Sequence, residues 1–368
     1  MLRRRIPWEN LDYWLLALVA GLVIFGVAMI RSAIAGNQTL AQLPSRQLLF
    51  ASVGFVLMAI VAVVDYHYWL TLSKYFYIIT VITLIALNLV GTALFGSARW
   101  FTVGPVKIQP SEFAKLVLIL SQASFLSKRQ EQLHQWRWVL ASAAQTLFLT
   151  VWVLLQPDLS TSITLLVIWF VMLWVAGLPW KYVATFVGIG MLAAIVGFPF
   201  LEPYQKARIL NFLFPQEEAR HGAIYNVQQA LISIGSGGWL GQGYGRGPQV
   251  QYRFLKVRHT DFIFSVIAHE FGFVGATLTI LLLILVIWRC VRIAQLAYDT
   301  AGALIATGVA AMLSFHMVVN IAMNLNLIPV TGLPLPFITY GGSSLMATLL
   351  AIGLVESVAL HREPLRFQ

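Results

Sequence analysis

Charge is what this 368-residue chain has least of: 10% of its residues are charged, 59% are hydrophobic, and the mean hydropathy is +0.80. A soluble domain of this size needs many more ionic groups, so lipid is the solvent for most of the surface. Cysteine is absent apart from Cys290, which excludes an internal disulfide framework and leaves the redox compartment open. Acids are scarce as well, 14 Asp and Glu against 24 Lys and Arg, for a formal charge of +10. With no nucleic-acid-binding motif beside it, that excess points to anionic lipid rather than nucleic acid. Two hydrolase signatures are missing. His269-Glu270 opens a zinc-protease pattern, but position 273 is Phe, and no G-x-S-x-G occurs.

What the chain has in plenty is long apolar runs. Stretches near 13–30, 47–64, 69–90, 111–127, 138–155, 159–176, 182–198, 272–290, 302–321 and 342–360 each approach the roughly 20 residues that cross a bilayer. The expected fold class is an all-α integral membrane protein of ten transmembrane helices, read as one polytopic domain over 1–368 with no fixed-period repeat. Its opening resembles a signal peptide, but the run from Tyr13 to Ile30 is long for that role and reads as a retained first helix. Arg3, Arg4, Arg5, Lys128, Arg129, Arg137, Lys181, Arg289, Arg292, Arg362 and Arg366 all fall on one side, which the positive-inside rule makes cytoplasmic, with both termini inside. Segments 31–46, 91–110, 156–158, 199–260 and 322–341 then face outward. The long outer loop between helices seven and eight, about 199–260, carries Lys206, Arg208, Arg220, Arg246, Arg253, Lys256 and Arg258 as a cationic cover suited to an anionic, lipid-borne ligand.

Asp261 stands at the last point before the apolar run that begins at Phe262. A carboxylate there costs about 2.5 to 3.5 kcal/mol if dragged to the bilayer centre, so it lies at the boundary and either caps a helix or does chemistry. Glu112 and Lys115 share one helix face, as a structural ion pair or as part of a site. Asp158, after Pro157, has the position of an N-cap. Ile224, Val227, Leu231 and Ile234 predict a short amphipathic helix in the outer loop. The glycines from Gly235 to Gly247 predict a turn between interfacial helices, with close backbone approach to a ligand as the lesser alternative. Gly272 and Gly275 predict a break ahead of the eighth span. Met323–Ser344, rich in proline and glycine, places irregular backbone at membrane depth, which requires cover by protein or a watery cavity. His259 and His316 suit packing better than metal ligation.

A sugar on a lipid diphosphate would suit this inventory. Once cations neutralise the diphosphate it leaves without a general acid, so one carboxylate base suffices, where glycoside hydrolysis uses two. Asp261 is the candidate base. Arg99, Arg208, Lys256, Arg258, His259 and Ser343 are the candidate side chains for diphosphate or its lipid, with a divalent cation, Mg or Mn, as an expected aid and no protein metal site.

The segments RHTDFIFSVIAHEFG, VKIQPSEFAK, QPDLSTS, YNVQQALISIGSGG and PVTGLPLPFITYGGSS together resemble the SEDS family of cell-wall polymerases, in that family's order and over most of the chain. The details are more similar to its rod-shape branch than to its division branch. The resemblance implies a peptidoglycan glycosyltransferase that polymerises lipid II at the outer face of the bacterial cytoplasmic membrane and works with a class B penicillin-binding protein. It also implies that Asp261 is the essential carboxylate and that Glu112, Lys115 and Asp158 border its cavity. The chain departs from the family pattern at Leu255-Lys256-Val257, at His269-Glu270 and at Ser160, which leaves roles for acids flanking Asp261 open. Two other classes remain as alternatives: a flippase for lipid-linked precursors, which would favour a midplane site and inverted repeats, and a scaffold whose motifs serve packing alone.

Overall fold

A computed structural model describes residues 8–34, 37–95, 99–103, 106–214, 223–248, 254 and 259–362. Each of the ten expected stretches is a helix: α1 Tyr13–Ala33, α2 Leu43–Val63, α3 Tyr66–Phe95, α4 Pro110–Ser127, α5 Trp136–Leu154, α6 Leu159–Val175, α7 Trp180–Gly197, then α10 Ile263–Gln295, α11 Thr300–Asn324 and α12 Gly342–Leu360. Among the described residues between α7 and α10 lie the shorter helices α8 Pro203–Leu213 and α9 Ala223–Gly237. A small antiparallel hairpin, β1 Phe101–Val103 and β2 Val106–Ile108, precedes α4 and pairs Thr102 with Lys107.

Eight of these helices are long and apolar enough to cross a membrane. α6 falls short with 17 residues. α4 falls short because Glu112, Lys115, Ser121 and Gln122 dilute it, and packing explains why it can carry them. Its neighbours α3, α6, α11 and α12 enclose it, so these polar side chains face protein rather than lipid.

α10 breaks where its glycines predict. Gly272 has φ 65° and ψ −161°, a region essentially closed to other residues. The glycine tract after α9 satisfies the backbone groups freed by the break. Phe273 and Val274 donate their amides to the Gly238 and Trp239 carbonyls at 2.8 and 3.1 Å, and Gln242 and Gly243 donate to His269 and Glu270, both at 3.0 Å. A Cβ at Gly241 would come 2.1 Å from the Glu270 carbonyl oxygen. The tract therefore admits backbone closely, but the backbone is the protein's own.

The amphipathic helix expected around Ile224–Ile234 is α9, and Val227 and Ile234 of the expected stripe pack against the core. Ala230, Ser233 and Gly237 pack against α10 and Leu231 is exposed. Small residues win that face because the approach is close: a Cβ at Gly237 would come 2.0 Å from the Ala268 carbonyl.

Of the segment between α11 and α12, residues 333–339 are largely buried against protein, whereas residues 325–327 and Gly332 are exposed. Leu333, Leu335, Phe337 and Ile338 are buried, Gly26 of α1 lies against the backbone of Phe337 and Ile338, and buried Gln47 of α2 donates to the Thr339 carbonyl at 3.2 Å while accepting from the Gly341 amide at 3.2 Å.

The opposite end of the bundle is tied by charge. Arg289 of α10 donates to both carboxylate oxygens of Asp12 ahead of α1, and the Asp12 amide donates to Glu356 of α12 at 3.1 Å.

Candidate active site

Asp261 stands in the turn that leads into α10, half-buried, beside the fully buried Phe262 and Ile263. Its backbone carbonyl accepts from Asn324 Nδ2 at 3.0 Å and from Asn320 Nδ2 at 3.4 Å. Among the described residues nothing hydrogen-bonds its carboxylate. Burial pushes the carboxyl above the usual aspartate range, and the Arg208 guanidinium of α8 pulls the other way. The acid thus stands where a base is strengthened without being pinned.

Arg208 borders two neighbouring cavities. One, of about 300 Å³, is lined by Arg99, Asp158, Ser160, Gln205, Arg208 and Thr331 above the apolar side chains of Ile163, Phe315 and Val319. The other, of about 260 Å³, lies between α8, α9 and the 326–330 segment. Arg208 also donates to the Val330 carbonyl at 3.3 Å.

Asp158 caps α6, accepting from the Thr161 amide at 3.2 Å and Thr161 Oγ1 at 2.9 Å, and it also accepts from Gln109 Nε2 at 3.0 Å. It is at once a cap and a wall of the first cavity. Arg99 donates to the carbonyls of Gln156 and Pro157 and reaches the same wall. Ser160 donates to the Thr331 carbonyl at 2.7 Å, which ties α6 to the segment over the cavity.

Glu112 and Lys115 form the buried ion pair that their spacing allows, at 2.9 Å, and Lys115 Nζ lies 3.3 Å from His316 Nε2 of α11. They do not line the cavity that Asp158 and Arg208 share. Ser343 accepts from the Gln109 amide at 3.1 Å and donates to the Lys107 carbonyl at 3.0 Å, joining α12 to the hairpin. His259 accepts from the Tyr340 amide at 3.2 Å, with the two rings 6.2 Å apart. Lys256 and Arg258 lie outside the described residues.

Sequence reasoning missed Asn320 and Asn324. Both are fully buried, and Asn320 also donates to the Leu333 carbonyl at 2.8 Å. Their signal was available: with His316 they recur every four residues, one polar stripe on an otherwise apolar helix. Among the described residues no three His, Cys, Asp or Glu come together as a metal site.

Residues 10–364 match the FtsW/RodA/SpoVE family of cell-cycle proteins. The peptidoglycan glycosyltransferase MrdB of Escherichia coli (strain K12) is 34% identical over 366 residues, 97% of this chain and 96% of that protein. A solved chain from a peptidoglycan synthase complex that coordinates polymerization and crosslinking is 33% identical, with a TM-score of 0.82 over 96% of this chain and 98% of that one. The crystal structure of the rod shape determining protein RodA of Thermus thermophilus is 32% identical, with a TM-score of 0.73 over 97% of this chain and 99% of that one.

Proposed function

This chain belongs to the FtsW/RodA/SpoVE family, and from that membership and the geometry around Asp261 we infer that it is a multi-pass membrane peptidoglycan glycosyltransferase that polymerises lipid II. The observation that carries the residue assignment is the half-buried Asp261 carboxylate, hydrogen-bonded by no described residue and facing Arg208.

The chemistry is a single inverting displacement. A hydroxyl of the acceptor sugar attacks the anomeric carbon of the donor, the bond from that carbon to the diphosphate oxygen breaks, and the hydroxyl proton passes to Asp261. Arg208 and Arg99 hold the departing diphosphate, whose charge they offset. The upward shift of Asp261 brings its basicity closer to neutral pH, where a general base acts best. Glu112 and Lys115 hold α4 to α11 beneath the site rather than touching the diphosphate. Among the described residues Asp261 is the one carboxylate here without a hydrogen bond, and a Mg or Mn ion, if bound, would help to neutralise the diphosphate.

The Asp261 end of the bundle faces outward from the bacterial cytoplasmic membrane in this reading, and both termini face the cytoplasm. A single-span class B penicillin-binding protein is the partner, consistent with the likeness to a chain of a synthase complex. The rod-shape branch is the preferred assignment, for cell elongation rather than division.

The test is glycan polymerisation from purified lipid II by the full chain with its partner present. Asp261→Asn is expected to fold and insert normally and to lose about 10²-fold or more in turnover. Wild-type turnover from that variant would overturn the assignment of the base. Vesicles in which the wild-type protein moves lipid II across the bilayer without forming polymer would overturn the reaction itself.

A further inference from the structure

All five aspartates of the chain stand at or just before the start of a helix. Four of them spend their carboxylates on it. Asp12 accepts from the Leu15 amide at 2.9 Å, Asp65 from the His67 amide at 3.0 Å, Asp158 from the Thr161 amide at 3.2 Å and Asp299 from the Gly302 amide at 2.8 Å. Such bonds satisfy amides that a helix start leaves without a carbonyl partner. Asp261 is the exception: α10 begins with Phe262 in the N-cap position and no side-chain cap of its own.

The need for a cap has not vanished; another helix meets it. In a regular helix the Ser265 amide would donate to the Asp261 carbonyl four residues back. Here the Ser265 amide donates to the Phe262 carbonyl at 3.1 Å instead, and the amide group of Asn324, from the end of α11, bridges it to the Asp261 carbonyl. Asn324 Nδ2 donates to the Asp261 carbonyl at 3.0 Å, and Asn324 Oδ1 accepts from the Ser265 amide at 3.2 Å and from Ser265 Oγ at 2.6 Å. Asn324 Nδ2 also donates to the Asn320 carbonyl at 2.8 Å, which fixes the orientation of the amide.

We propose that Asn324 is a positioning residue for the glycosyl transfer: by capping α10 from a neighbouring helix it takes the place an aspartate would fill and leaves the Asp261 carboxylate free to accept the proton of the sugar hydroxyl. This rests on the reading of Asp261 as the base. A local cap would have drawn the carboxylate back onto its own backbone, as in the other four aspartates, and a carboxylate holding amide donors is a weaker base. An amide from α11 does the same work without competing for the proton, and it is fully buried, so water cannot replace it readily.

The test uses the full chain with its partner and lipid II, and reads kcat, KM and the acid limb of the pH profile. In Asn324→Ala the Asp261 carboxylate is free to fall into the vacant cap. Turnover is then expected to drop about tenfold to a hundredfold with KM little changed, the scale of a small misplacement of a reacting group. The acid limb should move to lower pH, since a capped carboxylate titrates lower. Among the described residues the charged or titratable groups beside Asp261 are Arg208 on α8 and the adjacent His259, whose carbonyl holds the Tyr340 amide; α11 presents the two asparagine amides, and no charged residue occurs in 325–341. Ser265→Ala, which removes the 2.6 Å bond that orients Asn324, should shift both readouts the same way by less. Met317→Ala, buried elsewhere on α11, should lower the unfolding temperature and leave the acid limb in place.

Wild-type kcat and an unmoved acid limb in Asn324→Ala would overturn the proposal. If that variant fails to insert, an unmoved limb in Ser265→Ala would do so. An inactive Asp261→Asn beside a fully wild-type Asn324→Ala would sink this inference alone, whereas an active Asp261→Asn would sink the base assignment beneath it.

Discussion

The two ends of this helix bundle use buried acids in opposite ways. At the end where α1 begins and α12 finishes, Asp12 caps α1, binds Arg289 of α10 and gives its amide to Glu356 of α12, so one acid joins three helices and none of its oxygens is spare. At the other end, Asp261 precedes α10 with a carboxylate that no described residue hydrogen-bonds, while Arg208 faces it and two cavities open beside that guanidinium. Both acids carry the burden of desolvation. In the first case it is offset by bonds within the protein; in the second it is left for a ligand to relieve. Strain or unmet bonding of that kind gathers where proteins do chemistry.

The contrast can be broken from either side. Arg289→Ala removes the cation from a nearly buried carboxylate and should cost about 3 kcal/mol of stability, seen as a lower unfolding temperature in detergent, with turnover per folded molecule preserved. Retained stability would mean that the closed end is not held by this pair. Arg208→Ala acts at the open end and should leave the unfolding temperature nearly unchanged. Arg208 holds the Asp261 value down against burial, so its loss lets that value rise further. A base works only when ionised, and activity would therefore disappear at a higher pH on acidification than in the wild type. An acid limb that stays put would show that the two groups are not coupled. Ser343→Ala removes the hydroxyl between the Gln109 amide and the Lys107 carbonyl and should cost about 1 kcal/mol, with no shift of the pH profile.

Much of this arrangement was legible in the sequence. Eight helices follow from apolar length, the break in α10 from Gly272, the buried residues 333–339 from prolines and glycines that lipid would not tolerate uncovered, and the Glu112–Lys115 pair from a spacing of three. Asp158 had the look of a cap and is one. What could not be read was anything that depends on which helix lies beside which. On α9 the expected Val227 and Ile234 pack against the core, but the close backbone approach that brings Ala230 and Gly237 there as well could not be read. Asn324 was passed over because its partners, Asp261 and Ser265, lie about sixty residues away along the chain. Periodicity marks a polar face on a helix; it does not say what that face will meet.

The most direct measurement sets the two acids side by side: Asp12→Asn and Asp261→Asn, each assayed for unfolding temperature and for lipid II polymerisation per folded molecule. The account predicts that Asp12→Asn melts lower and polymerises normally, while Asp261→Asn melts at or above the wild-type temperature and makes about a hundredth of the product or less. It would be contradicted by Asp261→Asn melting early while its folded fraction still polymerises at the wild-type rate.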